Sequence, residues 1–111
     1  MPELAIPVLH VTDAARAVAW YARLDFDVDR EHRFEPDMPA FVSISRPGGA
    51  TLHLSEHRED ARPNTLVHLR VETLTPIAKE FATTPIALPR AREIHLTDPD
   101  GNRLRVGAPH E

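Results

Sequence analysis

Four of the chain's seven histidines stand at positions that a β-strand would turn to one side. His10, His53, His68 and His95 each sit between apolar neighbours: Leu9 and Val11, Leu52 and Leu54, Val67 and Leu69, Ile94 and Leu96. Strand side chains alternate faces, so burying those neighbours turns the histidines to the opposite side. The same parity gathers Phe41, Ser43, Ser45, Ser55, Arg70, Glu93, Thr97, Arg103 and Arg105. Imidazoles and hydroxyls supply hydrogen bonds and arginine supplies fixed positive charge, which suits a polar or anionic small molecule. His10, His53, His68 and Glu93 could instead ligate zinc, nickel or iron, for which imidazole and carboxylate are suitable donors. A sheet face that only meets water would carry the same residue types. Spacing leaves these three readings open, although no i, i+4 histidine pair and no HExxH run supports the metal. The candidate ligand-binding set is therefore His10, Phe41, Ser43, His53, His68, Arg70, Glu93, His95 and Arg105, with no residue assigned to catalysis or to a metal.

Other chemistry finds little support. There is no glycine-rich phosphate loop, no nucleophile elbow and no cysteine. Glu56 to Asp60 holds acid and base types, but the stretch to Asn64 is charged and poor in apolar residues, and reads as a solvated connector.

The elements that must position these residues repeat. Ala5 to Val11 is a short apolar run, and Pro7, lacking a ladder donor, puts it at a sheet edge or interrupts it with a bend. Asp13 suits the N-cap of a helix over Ala14 to Leu24, where Ala14, Ala17, Val18, Tyr21 and Leu24 share one face and Trp20 borders it. Asp25 to Arg33 reads as a strand, followed by a loop and a hairpin over Ala40 to Ser55. Then Thr65 to Val71 is a strand, and Thr75 with Pro76 starts a short helix through Ile77, Ala78 and Phe81. Thr83 to Pro89 is too proline-rich for a central strand. A second hairpin over Glu93 to Val106 turns at Asp98-Pro99-Asp100-Gly101-Asn102, and Pro109 to Glu111 reads as a frayed tail. The order is strand, helix, strand, hairpin, twice. Val11 and Val71 lie 60 positions apart but Gly49 and Gly101 only 52, so the second copy is eight residues shorter between helix and hairpin.

Composition narrows the partners. At 111 residues the chain is a single domain over 1–111, with module one about 5–55 and module two about 65–107, and small enough for association to help it. A net charge of −4 with no basic block argues against nucleic acid. No apolar run reaches membrane-spanning length, and the acidic start Met1-Pro2-Glu3 is unlike a signal peptide. The absence of cysteine rules out disulfides and fits a cytoplasmic protein. Lys79 is the single lysine among 13 basic residues, which reads first as coding bias.

Ile6-Pro7-Val8-Leu9-His10-Val11-Thr12-Asp13, followed by Ala17 to Tyr21 and Leu24-Asp25-Phe26, resembles the opening module of the glyoxalase/bleomycin-resistance/extradiol-dioxygenase (vicinal oxygen chelate) superfamily. Leu96 to Leu104 resembles its closing signature. Ala5 to Leu9, Asn64-Thr65-Leu66 and Arg92-Glu93 look most like bleomycin-resistance proteins. The resemblance implies an α+β fold of two βαβββ modules, a curled, cup-shaped mixed β-sheet with helices on its convex side, and a homodimer with ligand crevices at the interface.

The resemblance also locates the metal ligands of the superfamily's enzymes, and here those positions hold Ile6, His53, Leu66 and Arg105. Aliphatic side chains donate nothing to a metal and arginine is a cation, so no metal cofactor is expected. The reading that follows is a dimeric protein that sequesters a small molecule, an antibiotic-resistance type of role. The alternative is a metal-dependent glyoxalase, lyase or dioxygenase of the same superfamily. A third is a module without any ligand, acting through dimer contacts. Bleomycin-resistance proteins, as the resemblance implies, sandwich a flat cationic drug with aromatic groups and an extended second module. This chain has only six Trp, Tyr and Phe residues, and an arginine-lined cup would repel a cation.

Overall fold

Asp13 caps the first helix as its side chain suggests: it is extended (φ −142°, ψ 103°) and accepts the Arg16 backbone N–H. The computed structural model describes residues 3–110; the Met1-Pro2 start and Glu111 of the expected tail lie outside the described residues. The elements run β1 (Val8–His10), α1 (Ala14–Ala22), β2 (Asp27–Arg33), β3 (Ala40–Ser45), β4 (Thr51–Ser55), β5 (Leu66–Arg70), α2 (Thr75–Glu80), β6 (Ile86–Ala87), β7 (Ala91–Thr97) and β8 (Arg103–Pro109). In α2 the cap differs from expectation. Leu74 precedes the helix without a side-chain cap bond, and Thr75 is its first residue, with Pro76 in the first turn. Pro76 needs no N–H partner there.

Each module builds its own four-stranded sheet, ordered β1-β4-β3-β2 and β5-β8-β7-β6. The β1–β4 and β5–β8 pairs are parallel and the others antiparallel, so both sheets are mixed and neither closes into a barrel. This is the α+β fold of two βαβββ modules that the resemblance implied. Five residues of the eight-residue deficit lie in one strand: β2 has seven residues, whereas its counterpart β6 has two.

The apolar parity holds. Leu9, Val11, Leu52, Leu54, Val67, Leu69, Leu104 and Val106 are all buried, in one core cluster with α1 residues Ala14, Ala17 and Tyr21 and with Leu74 and Ile77. Trp20 packs against this cluster, edge-on to Tyr21 and 5.4 Å from the Phe81 ring, so it joins the two helical regions. The guanidinium of Arg23 lies over the Phe81 ring, 4.1 Å from its centroid.

Polar groups tie the modules together. Tyr21 Oη donates to Asp98 Oδ2 (2.8 Å), and Asp98 Oδ1 accepts the backbone N–H groups of Asp100 and Asn102. Asn102 donates from Nδ2 to the His10 carbonyl of module one and accepts the Thr65 N–H at Oδ1. Gly101 makes this turn possible, with φ +86° and no room for a Cβ against the Asn64 side chain.

Two connecting segments depart from expectation. Glu56 is not simply solvated: its carboxylate accepts the Ala14 N–H (2.8 Å) and the Ala40 N–H (2.9 Å). It thereby joins the N-terminus of α1 to the start of β3. The C-terminal tail is also anchored, because β8 continues through Pro109 and His110 Nε2 lies 2.8 Å from the Leu88 carbonyl oxygen.

Candidate functional site

On the first sheet, register sets the candidate side chains in rows. Val8 and Ser43 flank His53, while His10 and Phe41 flank Ser55. The Phe41 and His53 rings meet edge to face with centroids 4.9 Å apart. Burial of the His53 ring lowers its pKa below the ordinary value of 6.5, and Arg30 lowers it further against a smaller opposing effect of Asp29. A bulge between Val28 and Arg30 lets Asp29 accept hydrogen bonds from Ser43 (3.3 Å) and Ser45 (2.7 Å). Beyond it, Arg30 pairs with Ser43 and His32 with Phe41. These three β2 residues complete the face and were not among the candidates. Only a two-residue alternation could have flagged them, and the bulge breaks it.

Three residues assigned to this face behave otherwise. Ser55 is buried and donates to Asp60 Oδ2 (2.6 Å), so it fastens the connector, and Ser43, also buried, has its hydroxyl on Asp29. His10 lines a separate groove of about 360 Å³ with Arg33, Asp37, Met38, Glu56 and Arg58.

On the second sheet, His68, Arg105 and His95 lie side by side across β5, β8 and β7. The adjacent row is Arg70, Gly107 and Glu93. His95 Nε2 and Glu93 Oε1 are 2.7 Å apart, which orients the carboxylate. Together His68, Arg70, Leu88, Glu93, Arg105 and Gly107 line a groove of about 150 Å³. Arg70 and Arg105 make no hydrogen bond or ion pair with another described residue. Two uncommitted guanidiniums therefore border one depression whose one carboxylate among the described residues belongs to Glu93. His68 and Arg70 also line a neighbouring groove of about 260 Å³, shared with Ile6, Pro7, Thr51 and Leu52 of module one.

The candidates thus separate into a Phe41–Ser43–His53 patch on one sheet and a His68–Arg70–Glu93–His95–Arg105 patch on the other, with His10 apart from both. The metal reading of His10, His53, His68 and Glu93 finds no support within one chain, where His53 and the His68–Glu93 pair stand on different sheets. Among the described residues no three His, Cys, Asp or Glu side chains stand close enough to hold an ion. The superfamily's metal positions fare no better, because Ile6 and Leu66 are aliphatic, Arg105 is cationic and His53 is a single donor. These residues do not fit a metal centre.

The sequence model of a family described as glyoxalase superfamily protein matches residues 2–110. No curated protein sequence matches significantly. Among solved structures, a glyoxalase/bleomycin resistance protein/dioxygenase superfamily member from Sphaerobacter thermophilus superposes with a TM-score of 0.77 at 20% identity, covering 97% of this chain and 98% of that one. An antibiotic-binding protein from Streptomyces sp. CB03234 gives 0.75 at 17% identity, with 99% of both chains covered. A bleomycin-binding protein solved with bleomycin gives 0.73 at 19% identity, covering 98% of this chain and all of that one. At these identities the likeness is one of fold.

Proposed function

The chain belongs to the glyoxalase superfamily, and from that membership we propose that it binds and sequesters a small polar or anionic molecule without transforming it. The observation that carries this reading is the pair Arg70 and Arg105, both without partners among the described residues, at one groove of the second sheet. A planar guanidinium recognises carboxylate and phosphate oxygens in paired hydrogen bonds. Similar folds in an antibiotic-binding and a bleomycin-binding protein support a binding role of this kind. They do not extend to bleomycin, a cation that two arginines would repel. At about 150 Å³ the groove is small, below the roughly 300–1,000 Å³ of drug-sized sites. A second copy of the chain would enlarge it, and we propose a homodimer in which one protomer's second sheet faces the partner's first. The ligand-binding set then comprises Phe41, Ser43 and His53 from one copy and His68, Arg70, Glu93, His95 and Arg105 from the other, with His10 at the rim. The reading needs no metal, nucleic acid or membrane, and places the protein in the cytoplasm.

Native mass spectrometry of protein purified without chelator tests the assembly and the cargo together. The expected result is a dimer at micromolar concentration that carries an organic ligand released on Arg70→Ala/Arg105→Ala. A monomer would remove the shared crevice. About one zinc, nickel, iron or manganese per subunit, lost on His53→Ala, would replace sequestration with metal-dependent chemistry.

A further inference from the structure

Gly107 sits in the middle of the second sheet where nothing in its backbone calls for glycine. It is not in the left-handed conformation, and a Cβ there would meet only ordinary contacts: the Arg92 carbonyl at 3.7 Å and Glu93 Oε2 at 4.0 Å. Its strand neighbours on the same face are Arg70 on one side and Glu93 on the other. What the missing side chain provides is space, the floor of the 150 Å³ groove between a cationic wall and a carboxylate. Glu93 has committed Oε1 to His95, while the Oε2 oxygen is the one nearest the vacant Cβ position. That oxygen is an acceptor without a hydrogen bond to another described residue, on the side of the carboxylate facing the floor.

Resting on the sequestration reading, we infer that the groove selects molecules whose anionic group carries a hydrogen-bond donor close by, an α-amino or α-hydroxy acid head. The anion meets Arg70 and Arg105, and the donor lies over Gly107 against Glu93 Oε2. The volume supports a head group rather than a whole ligand, because about 150 Å³ is the space of some five water molecules at about 30 Å³ each. A plain carboxylate would leave the Glu93 charge facing it across the floor, with only repulsion between them. The amino or hydroxyl group converts that repulsion into a charge-assisted hydrogen bond.

The experiment uses three probes with one skeleton, 3-phenylpropanoate, 3-phenyllactate and phenylalanine, titrated into the isotope-labelled full chain and followed by backbone amide shifts. Phenylalanine and phenyllactate should each bind about tenfold or more tighter than phenylpropanoate, the scale of one hydrogen bond to a charged group. The shifts should centre on Leu88, Ala91 and Gly107. Glu93→Ala should erase the difference between probes while leaving phenylpropanoate binding in place. Gly107→Val should exclude all three, and Gly107→Ala, whose Cβ has room, should weaken them while folding normally by thermal melt. Equal affinities in the native chain, or a preference that survives both Glu93→Ala and Gly107→Val, would overturn the donor assignment and leave the anion site standing. Failure of all three probes to bind would remove the anion site itself, and this inference with it.

Discussion

Tyr21 Oη and Asp98 Oδ2 form a 2.8 Å hydrogen bond across 77 positions of sequence, with Tyr21 fully and Asp98 almost fully buried. One residue lies on α1 and the other opens the turn between β7 and β8. The contact is therefore a joint between modules, made by groups that would be costly to bury apart. Burial, and then the Asp98 carboxylate, raise the tyrosine pKa far above its ordinary value of 10.0.

Replacing Tyr21 with Phe should destabilise the protein by about 1–3 kcal/mol in denaturant melts, since Asp98 Oδ2 keeps Asn102 but loses one donor. The pH dependence has a definite sign. A raised pKa in the fold means stability that is complete below pH 10 and declines as pH rises above it. The native chain should lose stability above pH 10 more steeply than Tyr21→Phe. Parallel curves for the two proteins would show that the phenol is not the linked group.

Neighbouring residues on β8 should divide stability from binding. Leu104 is completely buried and Leu104→Ala should cost about 2–5 kcal/mol, as other large-to-small core changes do. Arg105 is exposed, so Arg105→Ala should leave the melt nearly unchanged and weaken anion binding, with a smaller effect at high salt. Melts of both variants and titrations at two salt concentrations check this. If Arg105→Ala matched Leu104→Ala in the melt, Arg105 would be a structural partner and not part of a ligand groove.

His53 provides a test of the first sheet. Its lowered pKa means the neutral ring is favoured in the fold, so its contribution is complete above 6.5 and is lost as pH falls through the folded value. Proton NMR should place the His53 midpoint below 6.5, and Arg30→Ala should move it upward by removing a repulsive charge. An unmoved midpoint would mean that burial acts alone and that the β2 bulge does not bring Arg30 to this face.

Parity was the most informative feature of the sequence. It separated Leu52 and Leu54 from His53, and Leu104 and Val106 from Arg105, because one buried face fixes every alternate side chain. Capping by Asp13 and the turn at Gly101 were equally local and equally legible. What escaped were pairings that no local pattern encodes. Asp29, Arg30 and His32 join the face through a bulge that interrupts alternation, and Glu56 looked like surface because its partners, Ala14 and Ala40, are remote in sequence. Parity also implied one shared face for four histidines. It could not say that His53 and His68 lie on different sheets, since strand neighbours arise from topology.

The Asn102 side chain has a kinetic consequence. Its bond to the His10 carbonyl closes a loop of 92 positions, nearly the whole chain, and its bond to Thr65 closes another of 37. Closing long loops must precede the contacts that reward it, so the joint belongs among the last parts to form. Each sheet can assemble earlier from its own hairpin, and the halves then wait for one another. A backbone cut between Glu59 and Asp60 would make that closure bimolecular. Refolding of the two fragments would then depend on protein concentration, while the intact chain would refold at a rate independent of it.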